Sequence, residues 1–114
     1  MIKRKDQLKV EEYKREDGKK IIALYDLKDF EGMSDKINQF SFVELGVGEE
    51  VKFHVHEGDS ENYFIVEGKG LYNDNGIEIE VSDGTITFTP SGQGHALKNI
   101  GCKTLKFIAL VIKN

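Results

Sequence analysis

GEEVKFHVHEGDSENYFIVEGKGLYNDNGIEIEVSDGTITFTPSGQGHALKN, residues 48–99, holds all three histidines of this 114-residue chain. Its reading decides the fold. Residues i and i+2 of a β-strand point to one face, about 7 Å apart along the chain. The imidazoles of His54 and His56 can therefore converge on a single point. Gly58, Asp59 and Ser60 are turn formers, so the chain reverses there and a new strand begins at Glu61, beside the two rings. His95 comes in by a long return, and the glycines at 92 and 94 allow its backbone a close approach. Three imidazoles and a carboxylate are a suitable donor set for Mn, Fe, Co, Ni, Cu or Zn.

The spacing is more specific than the His-x-His pair alone, which any solvent-facing strand can produce. Five residues separate Gly48 from His54, one His54 from His56, four His56 from Glu61 and six Glu61 from Gly68. A second block places five residues between Gly84 and Pro90, one before Gly92, two before His95 and three before Asn99. Fifteen residues separate the blocks.

These blocks, 48–68 and 84–99, resemble the two sequence motifs of the cupin superfamily, with every signature position filled. The resemblance implies an all-β fold, a double-stranded β-helix or jelly-roll barrel, with a divalent metal in its mouth. The family's ligand positions fall on His54, His56, Glu61 and His95, and its turn positions on the glycines and Pro90. The motifs cover 52 of 114 residues, and the flanks carry the strand content for the remainder. One such fold serves many chemistries, so the resemblance does not choose a reaction.

The length suits one domain, 1–114, able to bury a small core. Charged residues at 32% and hydrophobic ones at 39% are ordinary for a globular protein. There is no transmembrane run, and the lysine-rich start lacks the apolar stretch of a signal peptide, so a cytoplasmic location is expected and no membrane partner. Cys102 is the lone cysteine; it excludes an intrachain disulfide and reads as a small buried residue. Residues 48–99 carry ten acids against three lysines, a net of −7, while the rest carries +3. An acidic zone suits a bound cation and opposes nucleic acid. The only arginines, Arg4 and Arg15, lie outside it, which argues against phosphorylated substrates.

Outside the motifs, two N-terminal strands joined at Asp17-Gly18 are expected to flank the barrel, with Ile21 to Tyr25 in the second. Residues 26–37 read as a polar connection with room for a helical turn. Asn38 to Leu45 and Thr104 to Lys113 are apolar on both faces, so both faces are expected to be covered. The barrel interior covers one; the N-terminal strands or a second subunit cover the other. Sheet-to-sheet homodimers are common in the family, and a homodimer is the expected state. Asn75-Gly76 is a hairpin turn leading into a half-exposed strand with Ile77, Ile79 and Val81 inward. Phe40, Phe42, Phe88 and Phe107 read as core.

Four protein ligands on a six-coordinate metal leave two adjacent positions for a small-molecule substrate. The leading expectation is a metal-dependent enzyme of dioxygenase type, whose chemistry resides on the metal. A metal-assisted isomerase, cyclase or decarboxylase would need a further acid or base, for which Glu61, Tyr63, Lys52 and Asp59 are the nearby candidates. Glu61 and Tyr63 are the preferred catalytic pair. A non-catalytic metal or small-ligand binding module is the third expectation.

Overall fold

The computed structural model describes residues 1–114, and ten strands account for nearly all of its regular structure. In chain order these are β1 (Val10–Lys14), β2 (Lys20–Asp26), β3 (Ile37–Leu45), β4 (Glu50–Val55), β5 (Asp59–Glu67), β6 (Lys69–Asp74), β7 (Ile77–Ser82), β8 (Ile86–Thr89), β9 (Gly94–Asn99) and β10 (Leu105–Lys113). They form a six-stranded sheet in the order β1-β2-β3-β10-β5-β8 and a four-stranded sheet in the order β4-β9-β6-β7, with every pairing antiparallel. The chain crosses repeatedly between the two sheets, which is the double-stranded β-helix expected from the motifs. No helix is long and apolar enough to cross a membrane.

The core lies between the sheets. Val43, Leu45, Tyr63, Ile65, Tyr72, Val81, Leu97, Leu105, Phe107 and Ala109 form one buried cluster. Their alternation along β3, β5, β9 and β10 is the period-2 pattern of strands with one face inward. The hairpin at Asn75-Gly76 forms as its sequence dictates, with both residues at positive φ, the backbone of a two-residue turn that matches strand twist.

Several expectations from the sequence change. The N-terminal strands extend the six-stranded sheet beyond β3 and do not lie over its outer face. Part of that face is covered by the first residues instead: Lys5 reaches Glu44 and lies over the Tyr25 and Phe42 rings. The connection after β2 holds turns and no helix, and a short 3-10 turn forms at Lys5–Gln7. Of the four phenylalanines read as core, only Phe107 is buried. Phe40 and Phe42 are half-buried on the outer face, and Phe88 is 57% exposed. In β8 the threonines turn inward and Ile86 and Phe88 outward. Of the inward set expected in β7, only Val81 is buried, because β7 is an edge strand of the smaller sheet. Cys102 is exposed. The buried Asn99 accepts from the Gly101 N–H and donates to the Lys103 and Leu45 carbonyls, which pins the 100–104 turn and leaves Cys102 outside.

Glu44, nearly buried on the outer face of β3, accepts hydrogen bonds from Lys20 at 3.1 Å and Lys5 at 3.3 Å. Burial opposes its charge, but the two ammonium groups outweigh burial and hold its carboxyl below the usual range. A lowered folded-state pKa gives stability that is fully present above the unfolded-state value and is lost as pH falls through the folded one. Acid unfolding of Glu44→Gln is therefore expected to show a shallower pH dependence than wild type between about pH 5 and pH 3. An unchanged slope in urea titrations across that window would contradict this role.

Candidate metal centre

Local register places the histidines. In β4, Val51 faces Leu97 and His54 faces His95, so β4 carries one residue more than β9 between these two pairs. This is a β-bulge, which re-aims side chains. It turns Val51 and His54, three residues apart, to the same inner side and leaves Lys52 exposed outside. Lys52 is thus removed from the candidates for acid–base chemistry, since a straight strand would have been needed to bring it in.

His56 lies one residue past β4, and its backbone is clamped by the turn that precedes His95. The His56 N–H donates to the Gln93 carbonyl at 3.0 Å, and the Gly92 N–H donates to the His56 carbonyl at 2.7 Å. Gly58 N–H donates to Ser91 Oγ. Gly92 takes φ of 91° in this turn, a left-handed conformation that glycine adopts without strain. The second motif thereby holds the first in place. Gly94 serves differently. A Cβ there would lie 2.4 Å from the Phe53 ring and 2.9 Å from the His54 carbonyl oxygen, so its absence lets β9 approach the bulge of β4.

The four donors come from both sheets: His54 and His56 from β4 and its end, His95 from β9, Glu61 from β5. His95 Nε2 lies 3.0 Å from His54 Nε2, 3.1 Å from His56 Nε2 and 2.7 Å from Glu61 Oε1. Glu61 Oε1 is 2.9 Å from His56 Nε2 and 3.7 Å from His54 Nε2. His56, Glu61 and His95 are buried, and His54 stands at the rim.

The other ring nitrogens show which atoms carry protons. His54 Nδ1 is 2.8 Å from the Lys52 carbonyl oxygen, which can only accept. His56 Nδ1 is 2.8 Å from Asp59 Oδ1, a carboxylate that accepts. Both Nδ1 atoms therefore carry the proton and both Nε2 atoms present lone pairs. The Tyr72 hydroxyl lies 2.8 Å from both His95 Nδ1 and Thr89 Oγ1. Nδ1–H donating to the phenol oxygen, and the phenol donating to Thr89, satisfies every group and leaves the third Nε2 bare. Orientation of ligating imidazoles through their second nitrogen is a general feature of metal sites.

In this tautomer three lone pairs and a carboxylate oxygen face one another. Such an arrangement calls for a cation at its centre. Donors about 2.0–2.1 Å from a common ion, at right angles, lie about 2.9 Å apart; four of the separations, 2.7–3.1 Å, fit that spacing, and His54 Nε2 stands farther from Glu61 Oε1 at 3.7 Å. The donor set is that of a transition metal, since Ca and Mg prefer all-oxygen surroundings.

Beside the cluster lies a cavity of about 370 Å³, walled on one side by Val43, Val51, Phe107, Ala109 and Val111 and on the other by His54, His56, Glu61, Asp59 and Tyr63. Tyr63, 3% exposed, stacks on the His95 ring at 4.7 Å and packs on Phe107. Burial pushes its phenol well above the ordinary range, and the charges of Glu61 and Tyr72 add to this. Tyr63 therefore stays protonated, and its hydroxyl has no partner within the chain. Burial also raises Tyr72, against the effect of the threonine hydroxyls near it. Two orienting residues escaped the sequence reading. Asp59 looked like a turn residue, and its only signal is its place between His56 and Glu61. Tyr72 lies between the motifs, where nothing in the sequence ties it to His95.

A family model described as a cupin domain matches residues 41–112. An oxalate-binding protein of Thermotoga maritima is 36% identical over 95 residues, covering 83% of this chain and 78% of that protein. The crystal structure of a predicted oxalate decarboxylase from Thermotoga maritima superposes with a TM-score of 0.88 at 32% identity, covering the whole of both chains. An RmlC-like cupin of Shewanella frigidimarina has the same fold at 17% identity, with a TM-score of 0.74 over 96% of this chain and 86% of that one.

A cation held by these donors binds only the folded barrel and so stabilises it. Stripping with a chelator is expected to lower the melting temperature of wild type and to leave that of His56→Ala unchanged. Asp59→Asn and Tyr72→Phe are expected to weaken metal binding by roughly 10- to 100-fold in a competition titration while retaining the fold. Affinities equal to wild type would contradict the orienting roles.

Proposed function

We propose, because this chain belongs to the cupin family and carries the family's donor cluster, that it binds a divalent transition metal and uses it to capture a small bidentate carboxylate of the oxalate class. His54, His56, His95 and Glu61 would hold the ion. The observation that carries the reading is the set of four converging donors beside a cavity whose lining is otherwise poor in charge. No lysine or arginine lines that cavity, so an anionic head group must find its positive charge at the donor cluster. The relatives' names, which concern oxalate, support the same ligand class. When bound, the metal supplies positive charge and adjacent open positions for two ligand oxygens.

The chain's own residues complete the capture. Tyr63, neutral and with a free hydroxyl, donates a hydrogen bond to an oxygen of the bound acid. The wall of Val43, Val51 and Phe107 excludes water and strengthens each polar contact. Asp59 and Tyr72 keep the rings in the tautomer that binding requires. Metal-centred oxidation of dioxygenase type is the second reading. Among the lining acids, Glu61 belongs to the cluster and Asp59 is engaged by His56, which leaves Tyr63 as the one free proton donor and favours chemistry seated on the metal. Decarboxylation would rest on the same residue for its proton.

The outer face of the six-stranded sheet supports a homodimer. Phe64, Val66, Ile86 and Phe88 are exposed there beside half-exposed Ile108 and Leu110. Edge strands that stay in solvent normally carry charge on such a face. The apolar face of β8 supports a second copy packed on this sheet. The exposed thiol of Cys102 supports a reducing, cytoplasmic setting.

Calorimetric titration is expected to show oxalate binding to the Mn-loaded protein and none to chelator-treated protein. Tyr63→Phe should weaken the complex roughly two- to ten-fold, the loss of one hydrogen bond. Binding independent of metal would overturn the proposal. Light scattering is expected to give twice the chain mass for wild type and the chain mass for Phe88→Asp; a monomeric wild type would contradict the sheet-to-sheet dimer.

A further inference from the structure

The cavity beside the donor cluster is larger than its smallest plausible occupant requires. A volume of about 370 Å³ falls within the range of roughly 300–1,000 Å³ that houses drug-sized ligands. Oxalate, two linked carboxylates, fills a small part of it. The wall that leaves the donors carries Val51 and Val43, then Ile22 and Leu24 on β2, with Asn38 and Gln39 as its polar members. A dianion gains nothing from such a wall, whereas a hydrocarbon chain does.

The cavity also continues outward. Leu24, Asn38 and Gln39 border it and equally border a hollow of about 540 Å³ on the β1–β2–β3 extension of the sheet. That hollow is the larger of the two and holds no donor cluster. Its rim is polar, with Lys9 and Lys28 set against Glu11 and Asp26. The path thus runs from the donors past a neck formed by Leu24, Asn38 and Gln39 to a rim of mixed charge.

We infer that the ligand is a carboxylic acid with the O–C–C–O head of oxalate and an unbranched apolar chain that crosses Leu24 towards the Lys9–Lys28 rim. A 2-oxo acid of medium chain length has this form. The inference rests on the proposed capture of the head group by the metal-loaded cluster and adds the tail. Leu24 is then the residue that sets chain-length preference, through contact with the methylenes and not through the head.

The test is calorimetric titration of the Mn-loaded protein with oxalate and with the 2-oxo acids of three to eight carbons. Affinity is expected to rise about four-fold for each added methylene, the fold-change equivalent to ~0.8 kcal/mol of apolar burial per CH₂. The rise should stop once the chain reaches the rim. In Leu24→Arg the gain per methylene is expected to vanish. Should that variant fail to fold, the wild-type series decides alone. Binding of the short acids with no dependence on length overturns the tail and leaves the capture of the head standing. No binding by any member, oxalate included, removes the head-group reading and the tail with it.

Discussion

Four electron-rich atoms, three imidazole nitrogens and a carboxylate oxygen, are gathered within 4.8 Å of one another, with His95 Nε2 2.7–3.1 Å from the other three. Left without a cation, these atoms repel, and each has surrendered water to stand there. An ion bound by all four would offset that cost in the folded state. Donors drawn from β4, β5 and β9 span the sandwich, so an ion at their centre would tie the larger sheet to the smaller.

Three features of the chain enforce the geometry. The bulge in β4 turns His54 inward without bringing Lys52 after it. The 90–93 turn bonds both backbone groups of His56 and so couples the two motifs directly. Carbonyl, carboxylate and phenol partners fix the Nδ1 side of each ring. Each is a constraint of a different kind: strand register, turn conformation and hydrogen-bond directionality. Removing any of them disturbs one donor and thereby the common centre. The cavity inherits its character from the same frame, with polar groups gathered at the donors and apolar residues of β3, β4 and β10 opposite.

Much of this was legible in the residues. His-x-His on a strand, a reversal at Gly58 and a glycine-flanked His95 dictate convergence through strand parity and turn chemistry, although β5 begins at Asp59, two residues before the expected Glu61, so Asp59 and Ser60 are strand and not turn. The hairpin at Asn75-Gly76 was legible for the same reason, because it is a local property. What was hidden depends on pairing between distant strands. The bulge exists only relative to β9, so nothing local took Lys52 off the list of nearby acid–base candidates. In β8 the hydrophobic side was assigned to the interior, whereas Thr89 is needed inside as the partner of Tyr72 and Phe88 turns out. Cys102 seemed a buried small residue, but its exposure is decided by the bonds Asn99 makes around the turn. Tyr72 could not be tied to His95 without knowing that β6 pairs with β9.

The central claim is that these four atoms share one ion. Anomalous diffraction from crystals of the metal-loaded protein, recorded at the absorption edge of that metal, tests it most directly. The account predicts a single strong peak lying within about 2.0–2.3 Å of all three Nε2 atoms and of Glu61 Oε1. A peak bound elsewhere, or one that contacts the histidines while Glu61 points away, would contradict it.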